Sequence, residues 1–130
     1  MLVVAAGLFD REGRVLIAQR PAGKALAGRW EFPGGKVDAG ESERAALVRE
    51  LREELGEEVL AARPCMRLTH AYAEREVELS LWIVERFAGE PRPLDAQALK
   101  WVARAALGAE DILEADRPFI EALQAQSAPA

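Results

Sequence analysis

The sequence predicts an α+β fold, a mixed β-sheet sandwiched between α-helices, on three observations. Val77, Leu79, Leu81 and Ile83 alternate strictly with their neighbours, the period of a half-buried strand. Residues 2–9, LVVAAGLF, form a short apolar run that fits a buried strand. Leu47, Val48, Leu51 and Leu55 recur at the three-and-four spacing that lines one face of a helix. The 130 residues suffice for one domain with a core of its own, and no internal repeat or linker divides them, so residues 1–130 are expected to fold as one domain.

The elements follow in order. Residues 2–9 and 14–19 are rich in β-formers and are separated by Asp10-Arg11-Glu12-Gly13, which reads as a hairpin. Residues 20–40 hold Pro21, Gly23, Gly28, Pro33, Gly34, Gly35 and Gly40, which predicts a long shaped loop with little regular structure. Ser42 is placed to cap the next helix and Gly56 to end it. Residues 66–72 and 76–87 read as two more strands, Pro91 and Pro93 mark a loop, and residues 100–103 form a short strand whose Trp101 belongs to the core or its rim. Asp116 then opens a final helix, with Pro118 in the first turn, where proline is tolerated, and with Phe119, Ile120 and Leu123 facing inward. The tail, residues 124–130, is expected to fray.

Composition excludes several functions. A net charge of −5 argues against binding a nucleic-acid polymer, which needs a basic surface. One cysteine, Cys65, allows neither an intrachain disulfide nor a cysteine-rich zinc site, and it reads as a small packing residue. The only histidine, His70, cannot form a histidine cluster. The opening apolar run is too short for a membrane span, lacks a preceding basic residue and is closed by Asp10 and Arg11, so a cytoplasmic chain without a membrane partner is expected.

The segment of greatest chemical content is GKVDAGESERAALVRELREELG, residues 35–56. Glu50, Glu53 and Glu54 fall at i, i+3 and i+4, and residues so spaced share one helix face. Like charges that close repel, so the face calls for a cation, and carboxylate oxygens suit a hard divalent ion, Mg²⁺ or Mn²⁺. A glutamate-rich face is otherwise simply a solvated surface, the reading that Glu57 and Glu58 retain. Glycines beside the helix, together with Glu41 and Arg49, favour the metal site.

The same segment resembles the Nudix box. Its pattern is glycine, five residues, glutamate, seven residues, Arg-Glu, an aliphatic residue, any residue, Glu-Glu, any residue, glycine and an aliphatic residue. Gly35, Glu41, Arg49, Glu50, Leu51, Glu53, Glu54 and Gly56 occupy these positions, and Glu57 stands where the last aliphatic residue belongs. A packing change with little loss of chemistry is expected there. Arg20, Trp30-Glu31-Phe32-Pro33-Gly34-Gly35-Lys36, Leu81-Trp82, Glu85-Arg86, Gly89-Glu90-Pro91 and Trp101 extend the resemblance, to the MutT-like branch, over about residues 1–123.

That resemblance implies a Nudix fold and a Mg²⁺-dependent enzyme that hydrolyses a nucleoside triphosphate to the monophosphate and pyrophosphate. Its partner would be a small-molecule nucleotide, and the chain a monomer or weak dimer. By the same resemblance Glu50, Glu53, Glu54 and the backbone carbonyl of Gly34 hold the metal. Arg49 pairs with Glu41 to brace the loop against the helix, a contact that suits the guanidinium fork. Asp95 falls where relatives carry a loop glutamate that serves as a further metal ligand or base, though it is one methylene shorter. Lys36 and Arg20 would meet the triphosphate or the base.

The resemblance lines the base pocket with Val3, Arg20, Phe32, Tyr72, Arg75, Val77 and Asp116. The 8-oxoguanine-specific relative has asparagine at the last position, and an amide both donates and accepts. An ionised carboxylate only accepts, so Asp116 suits the exocyclic amine of cytosine or adenine, or else carries a raised pKa. Asp116 is equally a good helix cap, and the two roles are compatible. Two substrate classes therefore stand open, oxidised nucleotides such as 8-oxo-dGTP and cytidine nucleotides. A non-catalytic nucleotide sensor is disfavoured because every box glutamate is present.

Overall fold

The computed structural model describes residues 1–126. Seven strands and two α-helices follow one another: β1 (Leu2–Leu8), β2 (Val15–Gln19), β3 (Trp30–Glu31), β4 (Gly34–Lys36), α1 (Glu43–Leu55), β5 (Glu58–Ala71), β6 (Glu76–Ala88), β7 (Ala98–Val102) and α2 (Pro118–Gln124). The main sheet has the order β4-β1-β6-β5, with β1 parallel to β6 and the other neighbours antiparallel. A smaller antiparallel sheet has the order β3-β2-β7.

Alternation along β1 sends side chains to two cores. Val4, Ala6 and Leu8 pack with Leu47, Leu51 and Leu55 of α1 on one face. Ala5 joins Leu79, Leu81 and Ile83 of β6 and Phe119, Ile120 and Leu123 on the other. The sheet thus lies between α1 and α2, as its patterning predicts. Ser42 accepts from the Ala45 N–H at 3.1 Å, and Gly56 ends α1 with φ 69°. Glu43, in the first turn, anchors α1 to the sheet by accepting from Ser80 Oγ, the Trp82 indole N–H (3.1 Å) and Arg67. No described helix is long and apolar enough to cross a membrane.

Several expectations need correction. Asp10 does turn the chain, its carboxylate accepting from the N–H groups of Glu12 and Arg14 at 3.0 and 2.8 Å. Yet β1 and β2 enter different sheets, joined only by the Phe9–Val15 bridge, so they are no simple hairpin. The 20–40 loop contains β3 and β4, short strands that tertiary pairing with β2 and β1 imposes on a glycine-rich stretch. Strand β5 begins at Glu58, eight residues before the expected start. It accommodates Pro64 because the ladder shifts register between Pro64 and Met66, on an edge strand where proline is tolerated. Pro118 does stand in the first turn of the last helix, but Asp116 ends a preceding 3-10 turn, and no side chain caps α2. Gln124 is helical and Gln126 bonds to Arg63, while the expected fraying of residues 127–130 lies outside the described residues.

Candidate active site

One cavity of about 480 Å³ brings together β1, β3, β4, α1 and two loops. Its lining includes Val3, Arg20, Phe32, Gly34, Lys36, Glu50, Glu53, Glu54, Asp95 and Asp116, residues that span nearly the whole sequence. Lys24, Glu31, Gly35 and Leu79 also line it. Tyr72, Arg75 and Val77 do not. Tyr72 and Arg75 close the turn between β5 and β6, with the Tyr72 N–H donating to the Arg75 carbonyl at 2.8 Å, and Tyr72 stands 47% exposed with its edge against His70. Val77 shares the face of Leu79 on β6 and is buried in the same core cluster.

The carboxylate wall is built by close approach of β4 and α1. A Cβ at Gly34 would lie 2.0 Å from the Val4 carbonyl oxygen, so only glycine lets β4 pair there with β1. A Cβ at Gly35 would lie 2.4 Å from Glu50 Cδ, so that carboxylate rests directly on the glycine backbone. Arg49 braces the wall. Its guanidinium forks onto both oxygens of Glu41 at 2.8 and 2.9 Å, donates to Glu50 at 2.8 Å and reaches the Lys36 carbonyl at 3.0 Å. That fork and the Asp38 N–H hold the Glu41 carboxyl down at about 2.

Glu54 is in the opposite state. Burial first, then its hydrogen bond to Glu50 and the surrounding negative charge, drive its pKa well above the carboxylate range. Among the described residues, no three acidic, histidine or cysteine side chains converge as a ready cage. The reason is visible: Arg49 draws Glu50 and, at 3.5 Å, Glu53 toward itself. The donor set still fits a hard divalent cation. It consists of oxygens alone, and entry of positive charge beside Glu50 and Glu54 would favour the ionised form of Glu54.

The other end of the cavity is apolar with one buried acid. Phe32, Leu79 and Val3 form its surface. Residues 111–113 run beside β3: the Trp30 N–H donates to the Asp111 carbonyl at 2.9 Å and the Leu113 N–H to the Trp30 carbonyl at 2.8 Å. This path delivers Asp116, whose Oδ2 accepts from the Phe32 N–H at 3.1 Å. Burial pushes the Asp116 carboxyl up to about 7, against the pull of that N–H. Beside it Arg20 donates to Glu31 at 3.0 Å and to the Ala25 carbonyl at 2.8 Å. The Arg20–Glu31 pair was missed as a unit from sequence, although opposite charges on adjoining segments are its signal.

The departure at Glu57 differs from expectation. It is not solvated: the residue is 1% exposed, and neither carboxylate oxygen has a hydrogen-bond partner among the described residues. The Gly56 and Glu57 N–H groups bond back to Arg52 and Leu51, a helix ending that normally places an apolar side chain at this second position. Burial and Glu90 push the Glu57 carboxyl up to about 7, opposed by Arg92.

A sequence model of the NUDIX domain matches residues 4–122. The chain belongs to the Nudix family. It is 41% identical over 125 residues to the CTP pyrophosphohydrolase of Escherichia coli, spanning 96% of this chain and 93% of that one. It is 35% identical over 124 residues to the 8-oxo-dGTP diphosphatase of the same organism, spanning 95% and 96%. The crystal structure of a MutT NUDIX hydrolase from Burkholderia pseudomallei superposes with a TM-score of 0.84 at 31% identity, over 96% of this chain and 97% of that chain. The cavity is therefore set in the Nudix fold, and the chain is a MutT-like hydrolase of phosphorus-containing anhydrides.

Proposed function

We propose that this Nudix hydrolase is a Mg²⁺-dependent nucleoside triphosphate pyrophosphohydrolase that removes oxidised or otherwise non-canonical nucleotides such as 8-oxo-dGTP. The observation that carries the proposal is the continuity of one cavity from the Glu50-Glu53-Glu54 face to the apolar surface around Phe32 and Asp116. Such a cavity suits a ligand with a polyanionic end and a flat aromatic end.

Glu50, Glu53, Glu54 and the Gly34 carbonyl would hold the cation, and Mn²⁺ could replace Mg²⁺ in the same oxygen set. When bound, the ion would supply charge neutralisation for the departing nucleoside monophosphate and would lower the pKa of bound water. Arg49 fixes the β4 loop against α1 through Glu41 and Lys36, keeping the glutamates in register. Lys36 and Arg20 would orient the substrate, and Asp95, which lines the same cavity, would act as base or further ligand. Water attacks a bridging phosphorus, the β one, giving the nucleoside monophosphate and pyrophosphate. The enzyme acts in the cytoplasm as a single-domain monomer or weak dimer.

Asp116 favours a second reading, hydrolysis of CTP or dCTP. Oδ2 is occupied by the Phe32 N–H, which leaves Oδ1 for a base. Ionised, that oxygen accepts from an exocyclic amine. Protonated, which its value of about 7 permits near neutrality, the group donates as well and imitates an amide. A pyrophosphate-release screen with Mg²⁺ across 8-oxo-dGTP, dGTP, CTP, dCTP, 5-substituted dCTP and 2-hydroxy-dATP decides between them. Preference for 8-oxo-dGTP supports the first reading and preference for cytidine nucleotides the second. Absence of pyrophosphate from every nucleotide refutes both.

A further inference from the structure

Two loops face each other across the cavity. Residues 20–29 are closed on themselves by the Arg20 N–H to the Arg29 carbonyl and the Gly28 N–H to the Arg20 carbonyl, both 2.9 Å. Arg20 also pins the Ala25 carbonyl from inside at 2.8 Å, which fixes Lys24, the neighbouring residue, over the cavity. The opposite loop is docked on α1 by the Leu94 N–H to the Glu54 carbonyl at 3.1 Å and on β2 by the Gln97 N–H to the Gln19 carbonyl at 2.9 Å. That places Asp95 at the same rim. Lys24 Nζ and Asp95 Oδ2 meet at 3.6 Å, each side chain about half exposed.

The charge inventory makes this pair informative. Glu31, Glu50, Glu53, Glu54, Asp95 and Asp116 line the cavity against only Arg20, Lys24 and Lys36. Arg20 is committed to Glu31 and Ala25. Among the described residues, the ion pair of Lys24 is an exposed contact too long for a hydrogen bond, with the Glu31 carboxylate also within its electrostatic reach, and pairs of that kind contribute little. A triphosphate carries several negative charges where Asp95 carries one, so its oxygens can compete for Lys24.

We propose that Lys24 is a phosphate-binding residue that bridges to Asp95 across the cavity mouth in the free protein and exchanges that carboxylate for the oxygens of a bound triphosphate, releasing Asp95 toward the carboxylate face of α1. This rests on the triphosphate reading above and deepens it. Substrate arrival and availability of Asp95 become one event.

Calorimetric titration of the full chain with inorganic tripolyphosphate in Mg²⁺ tests it, with CMP and dGMP as monophosphate probes. Lys24→Met weakens tripolyphosphate binding about tenfold, Lys24→Arg restores most of it, and monophosphate affinity is unchanged. In an Asp95→Asn background the loss on Lys24→Met grows, because Lys24 then has no carboxylate to give up. Equal tripolyphosphate affinity of wild type and Lys24→Met, or no tripolyphosphate binding by wild type, overturns the phosphate role. So does a loss shared equally by the monophosphates, which marks a disturbed loop. A Lys24→Met loss equal in both backgrounds overturns the exchange. Wild type that binds tripolyphosphate yet releases no pyrophosphate from nucleotides refutes the hydrolase reading and leaves Lys24 standing.

Discussion

The two ends of the cavity are built in opposite ways. At the carboxylate end, residues 34–54 supply nearly every group, and Arg49 alone makes contacts to Glu41, Glu50, Glu53 and the Lys36 carbonyl. At the apolar end, Asp116 meets the Phe32 backbone N–H across 84 residues of sequence, and no side chain among the described residues bonds to it. Charge follows the same division. Cationic support holds Glu41 down at about 2, whereas burial lifts Asp116 to about 7. Under the proposed function, a local, braced wall leaves little room for variation in the chemistry, while a single buried acid at the apolar end leaves recognition open to change by one substitution.

The most severe way to probe this contrast is at the wall. Glu53→Gln or Glu54→Gln should lower pyrophosphate release by more than about 100-fold, beyond the 10–100-fold typical of groups outside a metal's ligand set. Circular dichroism should show the fold intact. Wild-type-like turnover in either variant would falsify the metal assignment. Next in size, Arg49→Lys should cost about 10–100-fold, because an ammonium cannot fork onto Glu41 while reaching Glu50; steady-state rates across metal concentrations would reveal it. Asp116→Asn should leave turnover of the better substrate measurable but shift the 8-oxo-dGTP to CTP ratio toward 8-oxo-dGTP by about tenfold. A ratio that stays put removes Asp116 from recognition and dissolves the comparison.

The smallest expected effect lies outside the cavity, at Glu57, and concerns stability. Its folded pKa of about 7 exceeds the ordinary value of 4.5. Between those values the folded state keeps a proton that the unfolded state has released, so stability falls as pH rises through this window and levels off above it. Glu57→Leu should make that slope shallower, leaving the share of Asp116 and Glu54, and raise the melting temperature by several degrees near pH 8, read by thermal melts from pH 4 to 9. Identical pH dependence in the two proteins would show that Glu57 is not the source.

Legibility in the sequence follows the same contrast. Helix α1, its cap, its stop and its glutamate face depend on neighbours three and four residues away, and those could be read directly. Strands β3 and β4 could not, since glycine and proline argue locally against strands and only pairing with β2 and β1 creates them. Tyr72, Arg75 and Val77 lie outside the cavity lining, since resemblance fixes a register position but not how far the β5–β6 turn reaches beyond the sheet. Lys24 left no signal at all, being one lysine in a loop whose path is set by Arg20. Glu57 marked itself by breaking a pattern, although only the packing revealed that it is buried.

The seam between β3 and residues 111–113 is held by backbone groups: Trp30 to Asp111, and Leu113 to Trp30. Bonds of that kind ignore side-chain identity. A gene crossover between β7 and the turn at Arg104–Ala109 would therefore import a relative's version of position 116 together with the strip that carries it, docked along the same seam. Within such a lineage, the residue at position 116 can be exchanged by recombination of the last fifth of the gene, while residues 34–54 and Asp95 are inherited together from the part before it.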